Sequence, residues 1–190
     1  MTVPAFVFLM IGALLVALLV WVRQRFLSFR AQCPQDYATA NGEAFDLRRH
    51  LNGQILCEGM IYGPTGRVSS RFVGYFEASW DGNRGVMKER FEYDSGNTQH
   101  REWHLSLGND GSIRALAADV VGEATGQQSG PSVLMRYRIR LPEEAGGHVL
   151  STTDWMYLAP NGTIVNRSQF RKFGITVAEL VATMRRVEAA

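Results

Sequence analysis

The hydrophobic and polar residues of the chain follow two patterns, which change near residue 53. Residues 3–22 are uncharged and mostly apolar, and twenty such residues are the length of one membrane-spanning helix. From residue 53 onward, apolar and polar positions alternate with a period of two, as in strands that bury one face. Turn signals separate these segments at 63–66, 81–83, 94–96, 109–111, 142–147 and 160–162. Short strands at regular spacing predict an all-β sandwich or barrel.

In three of these turns, we expect the last residue, a glycine, to supply the left-handed residue of a three-residue hairpin loop. They are 64–66, 94–96 and 160–162. Successive hairpins make neighbouring strands antiparallel, and nine or ten such strands can hide their edges by closing on themselves. We therefore predict an antiparallel up-and-down barrel of nine to ten strands.

Two shorter segments flank the alternating region. Asp46 is suited to cap a helix that ends before Gly53, so we predict a short helix of two turns there. The last segment, "ITVAELVATMRR", is ambiguous. Thr176 and Glu179 resemble a capping box and the apolar spacing is helical, whereas closure of a barrel requires a strand. The local pattern leaves both alternatives open.

The apolar segment has two interpretations, an uncleaved anchor and a signal peptide. A signal peptide has a basic region before its apolar stretch and a small-x-small cleavage site just after it. Nothing basic precedes residue 3, and the small-x-small site at 38–40 lies far beyond the apolar stretch, so we predict an anchor. Arg23, Arg25 and Arg30 follow it, and the positive-inside rule then places the C-terminal part in the cytoplasm.

The change from apolar to polar to alternating composition divides the chain into three parts. Residues just after the anchor are polar and aperiodic, as in a linker. The predicted parts are a transmembrane anchor at 1–23, a linker at 24–44 and a barrel domain at 45–190.

Composition and charge argue against several functions. The net charge is +2 and the charged residues are scattered, so there is no electrostatic footprint for nucleic acid. Cys33 and Cys57 are not in a paired spacing, which argues against a disulfide scaffold or a thiolate zinc site. No nucleophile elbow, phosphate loop or dinucleotide motif occurs, so we predict no catalytic residue and no cofactor. The sequence identifies no protein partner.

The segment "RFEYDSGNTQHREWHL" contains two histidines four residues apart, a spacing that suggests a metal site. If 94–96 is a hairpin loop, the predicted pairs are Met87 with Trp103, Lys88 with Glu102, and Glu89 with Arg101. Opposite charges then face each other twice, which supports the hairpin independently. His100 and His104 would lie about 13 Å apart on one strand, too far to share an ion, so we predict no metal site.

Two predicted hairpins place polar side chains on the inward, apolar face. Glu89 and Arg101 share that face near the predicted barrel mouth, where the pair has either a structural or a ligand-orienting role. Pockets for small ligands are lined by apolar residues with a few polar groups, but satisfied core polar residues give the same pattern. The candidate lining residues are Glu89, Phe91, Arg101, Trp103, Tyr137, Asp154, Met156 and Asn166.

Several motifs resemble a family of bacterial proteins known as domain of unknown function 3833. They are "FDLRRHLNG", "GRVSSRF", "WDGNRGVMKERFEYDSG", "REWHL", "DVVGEATG", "DWMYL" and "NRSQFRKFG". The resemblance covers residues 45–186 and implies a lipocalin-like, calycin-type β-barrel in Gram-negative bacteria, with no established activity. It also implies that residues 177–185 form a closing strand. The barrel would then be tethered to the bacterial inner membrane by a single pass.

The start of the chain departs from the family pattern. Many relatives resemble lipoproteins with a lipidated cysteine, whereas Cys33 follows no lipobox, so a helix here replaces the lipid. Lipoprotein relatives would be periplasmic, which is the alternative to the cytoplasmic side that the arginine flank predicts.

Three functional hypotheses follow from the predicted barrel. The leading one is a membrane-tethered, non-catalytic protein that binds an apolar or amphipathic small molecule, such as a lipid or fatty-acid derivative. The second is an enzyme that modifies a lipid-like substrate with Glu89, Arg101 or Asp154 in its site. The third is a filled barrel that serves as an assembly or interaction module. The presence of a cavity distinguishes the first two from the third.

Overall fold

The computed structural model describes residues 3–187, which form two α-helices, three 3₁₀ helices and ten β-strands. Helix α1 is Val3–Phe26 and helix α2 is Leu47–His50, and the 3₁₀ helices are Phe29–Ala31, Pro34–Tyr37 and Glu143–Ala145. The strands are β1 Gly53–Tyr62, β2 Val68–Asp81, β3 Arg84–Tyr93, β4 Thr98–Leu107, β5 Ser112–Leu116, β6 Ala124–Ser129, β7 Ser132–Arg140, β8 Val149–Leu158, β9 Ile164–Lys172 and β10 Ile175–Arg186.

The ten strands form one closed barrel in which every strand is antiparallel to both neighbours. Strand β10 closes it by pairing with β1, where Met184 lies opposite Cys57 and Leu180 opposite Ile61. The predicted up-and-down barrel is therefore confirmed, and the ambiguous last segment is a strand. A helix there would have left backbone groups of β1 and β9 unpaired along an open edge.

Each of the six predicted turns connects two consecutive strands. Three further connections were not predicted: the loop at 117–123 and the short turns at 130–131 and 173–174. Both short turns contain a glycine with positive φ, Gly130 and Gly174, which is the same signal that marks several of the predicted turns.

Helix α2 closes one end of the barrel. The Asp46 carboxylate accepts a hydrogen bond of 3.0 Å from the backbone N–H of Arg48, as predicted for the cap. The helix has a single turn rather than the predicted two, because β1 begins immediately after it. Leu47 and Leu51 are 1% and 3% exposed, and the Trp80 indole donates to the Leu51 carbonyl at 2.7 Å. These contacts fix the helix across the strand ends.

Part of the segment between α1 and α2 lies on the outer surface of the barrel. The ring of Tyr37 packs on Trp155 and Tyr157, with centroids 5.3 and 5.5 Å apart. The side-chain oxygen of Gln32 accepts hydrogen bonds from the hydroxyls of Tyr37 and Tyr157. Trp155 is completely buried by this covering although it faces away from the barrel interior. An aromatic patch on β8 therefore holds the segment that precedes the barrel.

Helix α1 is long and apolar enough to cross a membrane, and its large hydrophobic side chains are exposed. A signal sequence near an N-terminus has the same length and composition.

Replacing Gly59 with alanine should destabilise the barrel by about 1–3 kcal/mol through overpacking. A Cβ atom at this position would lie 2.5 Å from Cζ of Phe72 and 2.8 Å from Cβ of Ala182. Gly63→Ala is the matched control, because a Cβ atom there meets only ordinary contacts at 3.9 Å. Urea unfolding measures both variants, and equal loss of stability would contradict the close packing.

Candidate ligand-binding site

The barrel encloses an interior cavity of about 350 Å³, most of whose lining side chains are apolar. Leu47 of α2 and Leu51, the residue that follows the helix, line it at the closed end. At the opposite end, which we call the mouth, it is lined by the half-buried residues Tyr93, Gln99 and Leu141. Every strand except β5 and β6 contributes lining residues, and Ile113, Ala115 and Ala124 of those two strands belong to the buried core around the cavity.

The β3–β4 hairpin has the predicted register. The paired residues are Met87 with Trp103, Lys88 with Glu102, and Glu89 with Arg101. Met87, Glu89, Arg101 and Trp103 line the interior cavity, whereas Lys88 and Glu102 are exposed on the outer face. The turn chemistry and the cross-strand charges therefore located this part of the cavity wall correctly.

Arg101 is the centre of a buried ionic group. Its Nε and Nη2 atoms lie 2.8 and 2.7 Å from Oδ2 of Asp119, and its Nη1 atom lies 3.7 Å from Oε2 of Glu89. The Arg101 and Glu89 side chains are only 14% and 7% exposed. The closest partner of Arg101 is therefore Asp119, which sequence analysis did not find.

The loop at 117–123 brings Asp119 to Arg101. It is attached to β7 by backbone hydrogen bonds of Arg140 N to Asp119 O at 2.7 Å and of Val121 N to Arg138 O at 2.8 Å. An irregular loop has no period that would indicate the direction of a side chain. Only the position of Asp119 at the head of the "DVVGEATG" motif could have marked it.

Two carboxylates of this group each have a buried oxygen without a hydrogen-bond partner, Oε2 of Glu89 and Oδ1 of Asp119. Burial raises the pKa of Glu89 to about 7, the charge of Arg101 opposes the rise, and the charges of Asp154 and Asp119 add to it. Glu89 thus changes protonation state near neutral pH.

Arg101 itself stays protonated. Burial alone would lower the pKa of its guanidinium, but the charges of Glu89 and Asp119 and the hydrogen bond to Asp119 raise it. The guanidinium also lies 5.9 Å from the ring centre of Phe91 and 5.8 Å from that of Trp103.

Asp154 belongs to a second polar group on the opposite wall. Its carboxylate accepts hydrogen bonds from the amide of Asn166 and from the Ser168 hydroxyl at 2.8 Å, with the Tyr137 hydroxyl at 3.5 Å. Asn166 also donates to the Trp155 carbonyl at 3.0 Å. Burial raises the pKa of Asp154, and the hydrogen bonds from Asn166 and Ser168 oppose the rise.

The structure places every candidate lining residue at the wall of the interior cavity. These residues are Glu89, Phe91, Arg101, Trp103, Tyr137, Asp154, Met156 and Asn166. Cys57 also lines the cavity. Burial and the charges of Glu89, Glu58 and Asp154 raise the pKa of its thiol to about 12, so it is protonated and a poor nucleophile.

His100 and His104, whose spacing suggested a metal site, are exposed on the outer face of β4. Across residues 3–187, no three His, Cys, Asp or Glu side chains are arranged to hold a metal ion.

Comparisons with known proteins agree with this architecture. The profile of the family described as "Protein of unknown function (DUF3833)" matches residues 24–186, and no curated protein matches the chain. The S-type phycobiliprotein lyase CPES from Guillardia theta has a TM-score of 0.54 at 6% identity, covering 76% of this chain and 92% of that one. Rv2717c from M. tuberculosis has a TM-score of 0.56 at 14% identity, covering 77% and 100%. These likenesses show the fold alone, and they confirm the lipocalin-like barrel.

Replacing Arg101 with alanine should destabilise the folded protein by about 3–5 kcal/mol, because the buried carboxylates lose their counter-charge. Arg138→Ala, on the exposed face of β7, is the matched control and should change stability by less than about 0.5 kcal/mol. Urea unfolding of both variants in the same detergent measures the difference. Wild-type stability in Arg101→Ala would contradict the buried ion pair.

Stability should fall as pH rises from about 4.5 to about 7. The folded-state pKa of Glu89, about 7, lies above the ordinary value of 4.5. Protonated Glu89 therefore stabilises the folded state fully below pH 4.5, and this stabilisation is lost as the pH rises through 7. Glu89→Gln should remove the part of this decrease that Glu89 causes. The part caused by Asp154, whose pKa is also raised, should remain. Urea unfolding at pH 5 and pH 8 checks this, and an equal decrease in the wild type and the variant would oppose it.

Proposed function

The chain belongs to the family of proteins of unknown function DUF3833, and we propose that its barrel binds an apolar or amphipathic small molecule in the interior cavity. The observation that carries the proposal is the cavity itself. Its volume of about 350 Å³ is of the size of small-molecule sites, which are mainly apolar with a few placed polar groups. A barrel filled by its own side chains, as an assembly module would have, lacks such a space.

The shape and chemistry of the cavity favour a ligand with one chain and one polar end. Leu47 of α2 and the following Leu51 form an apolar closed end, whereas Glu89, Arg101 and Asp154 provide polar groups on the wall. An amphipathic lipid derivative would bury its chain against the apolar residues and orient its head group by the polar ones. Barrels of similar strand number in lipocalins hold one small ligand in the same way.

Helix α1 is proposed to tether this barrel to the bacterial inner membrane. Its exposed apolar surface supports insertion, and Arg23 and Arg25 in its last turn, with Arg30 after it, favour a cytoplasmic barrel. A membrane tether would keep the barrel close to a source of apolar ligands.

A reporter fused after residue 190 should show which side the barrel occupies. A fluorescent protein that folds only in the cytoplasm should be active there, and alkaline phosphatase, which needs the periplasm for its disulfides, should be inactive. The reverse pattern would place the barrel in the periplasm, as the lipoprotein relatives suggest.

One observation favours a second candidate function, turnover of the bound molecule. Glu89 has a pKa of about 7, which is the range in which a carboxyl group serves as a general acid or base. Incubation with a bound lipid followed by product analysis separates the two functions, because a carrier returns its ligand unchanged.

The binding proposal predicts that protein extracted from its own membranes retains an apolar molecule, detectable by native mass spectrometry. Ala178→Trp should abolish this adduct, because the larger side chain would occupy the cavity near the mouth. Val181→Trp is the matched control, since Val181 is on the same strand but is 38% exposed on the outer face. An adduct that persists in Ala178→Trp would contradict binding inside the barrel.

A further inference from the structure

Carboxylates outnumber the buried cation around the polar part of the cavity. Glu89 and Asp154 line the cavity, and Asp119, which is 24% exposed and is not a lining residue, contacts the guanidinium of Arg101. The other cation at the cavity, Arg140, is exposed at the rim of the mouth. A ligand that enters the polar part of the cavity therefore meets more negative than positive charge.

The one interior cation already has partners. Two nitrogens of Arg101 lie within 2.8 Å of Asp119, and its third lies 3.7 Å from Glu89. Backbone hydrogen bonds attach the Asp119 loop to β7, so Asp119 is held in this position. A ligand carboxylate would have to displace Asp119 or add a fourth negative charge to the group.

Glu89 offers a hydrogen-bond acceptor to a ligand whose head group is a cation. Its side chain is 7% exposed, lines the cavity, and has a buried Oε2 atom without a hydrogen-bond donor. Buried acceptors normally have a donor, and an ionised acceptor forms its strongest hydrogen bonds with a cationic donor. Asp154 differs, because Asn166 and Ser168 already donate to it. Asp119 also has a buried oxygen without a donor, but it does not line the cavity, so Glu89 is the carboxylate to which a ligand can add a bond.

The aromatic wall near Glu89 also suits a positive charge. Phe91 and Trp103 already flank the Arg101 guanidinium, and Trp103 packs edge-on against Tyr137 at 5.4 Å. Ring faces attract cations and have no comparable attraction for carboxylates.

We propose that the interior cavity selects an amphiphile whose head group is a protonated amine, which donates to the carboxylate of Glu89, over one whose head group is a carboxylate. This inference rests on the proposed binding function and specifies the chemical class of the ligand. The apolar chain occupies the rest of the cavity toward α2.

Calorimetric titration of the full chain in nanodiscs, with empty nanodiscs as the blank, tests the proposal. The probes are octylamine, octanol and octanoate, which share one chain and differ in head group. At pH 8 the amine is protonated and Glu89 is mostly ionised. Octylamine should bind at least about tenfold more tightly than octanoate, with octanol between them.

Three variants separate the head-group contact from general packing. Glu89→Gln should lower the affinity for octylamine about tenfold while that for octanol changes little, because only the charged hydrogen bond is removed. Glu77→Gln, the same change at an exposed position of β2, should leave all three affinities unchanged. Asp119→Asn should raise the affinity for octanoate several-fold, because it leaves the Arg101 charge less compensated.

The outcomes distinguish this inference from the binding proposal. Octanoate binding as tightly as octylamine, or an unchanged preference in Glu89→Gln, would overturn the head-group assignment and leave the binding function standing. No binding of any of the three probes would overturn the binding function itself, and the head-group assignment with it.

Discussion

Pairing between β1 and β10 is the constraint on which the rest of the structure depends. It gives every strand two hydrogen-bonded neighbours, so the sheet has no exposed edge and its inner face is separated from water. Separation from water explains the electrostatics of the interior. Desolvation is the largest cause of the raised pKa values of Glu89 and Asp154, even though Arg101 acts in the opposite direction on both.

The closed wall is combined with an interior that is only partly filled. Helix α2 blocks one end, and the loop at 117–123 extends a carboxylate toward Arg101 from outside the regular strands. The interior thus has an apolar part and a polar part in which carboxylates outnumber the guanidinium. A core that served stability alone would gain little from buried charged groups, since apolar residues of similar volume are often as stable or more so. This arrangement is the physical basis for proposing a ligand.

Much of the fold and site could be predicted because turn chemistry fixes register and strands have a period of two. The loop at 94–96 set the Glu89 and Arg101 pair, and alternation set the inward direction of Tyr137 and Asp154. Two features depended on tertiary contacts instead. The capping-box signal of Thr176 and Glu179 favoured a helix locally, but pairing with β1 and β9 outweighed it. The contact of Asp119 with Arg101 arises from an irregular loop, where no periodic pattern applies.

The central claim is that closure of the barrel places Glu89 in a desolvated interior beside the cavity. Its side-chain carboxyl carbon, followed by NMR as pH is changed, reports this environment directly. The account predicts a titration midpoint near 7. A midpoint near the ordinary value of 4.5 would contradict it, because the carboxyl group would then be in contact with water and the interior would not be enclosed as described.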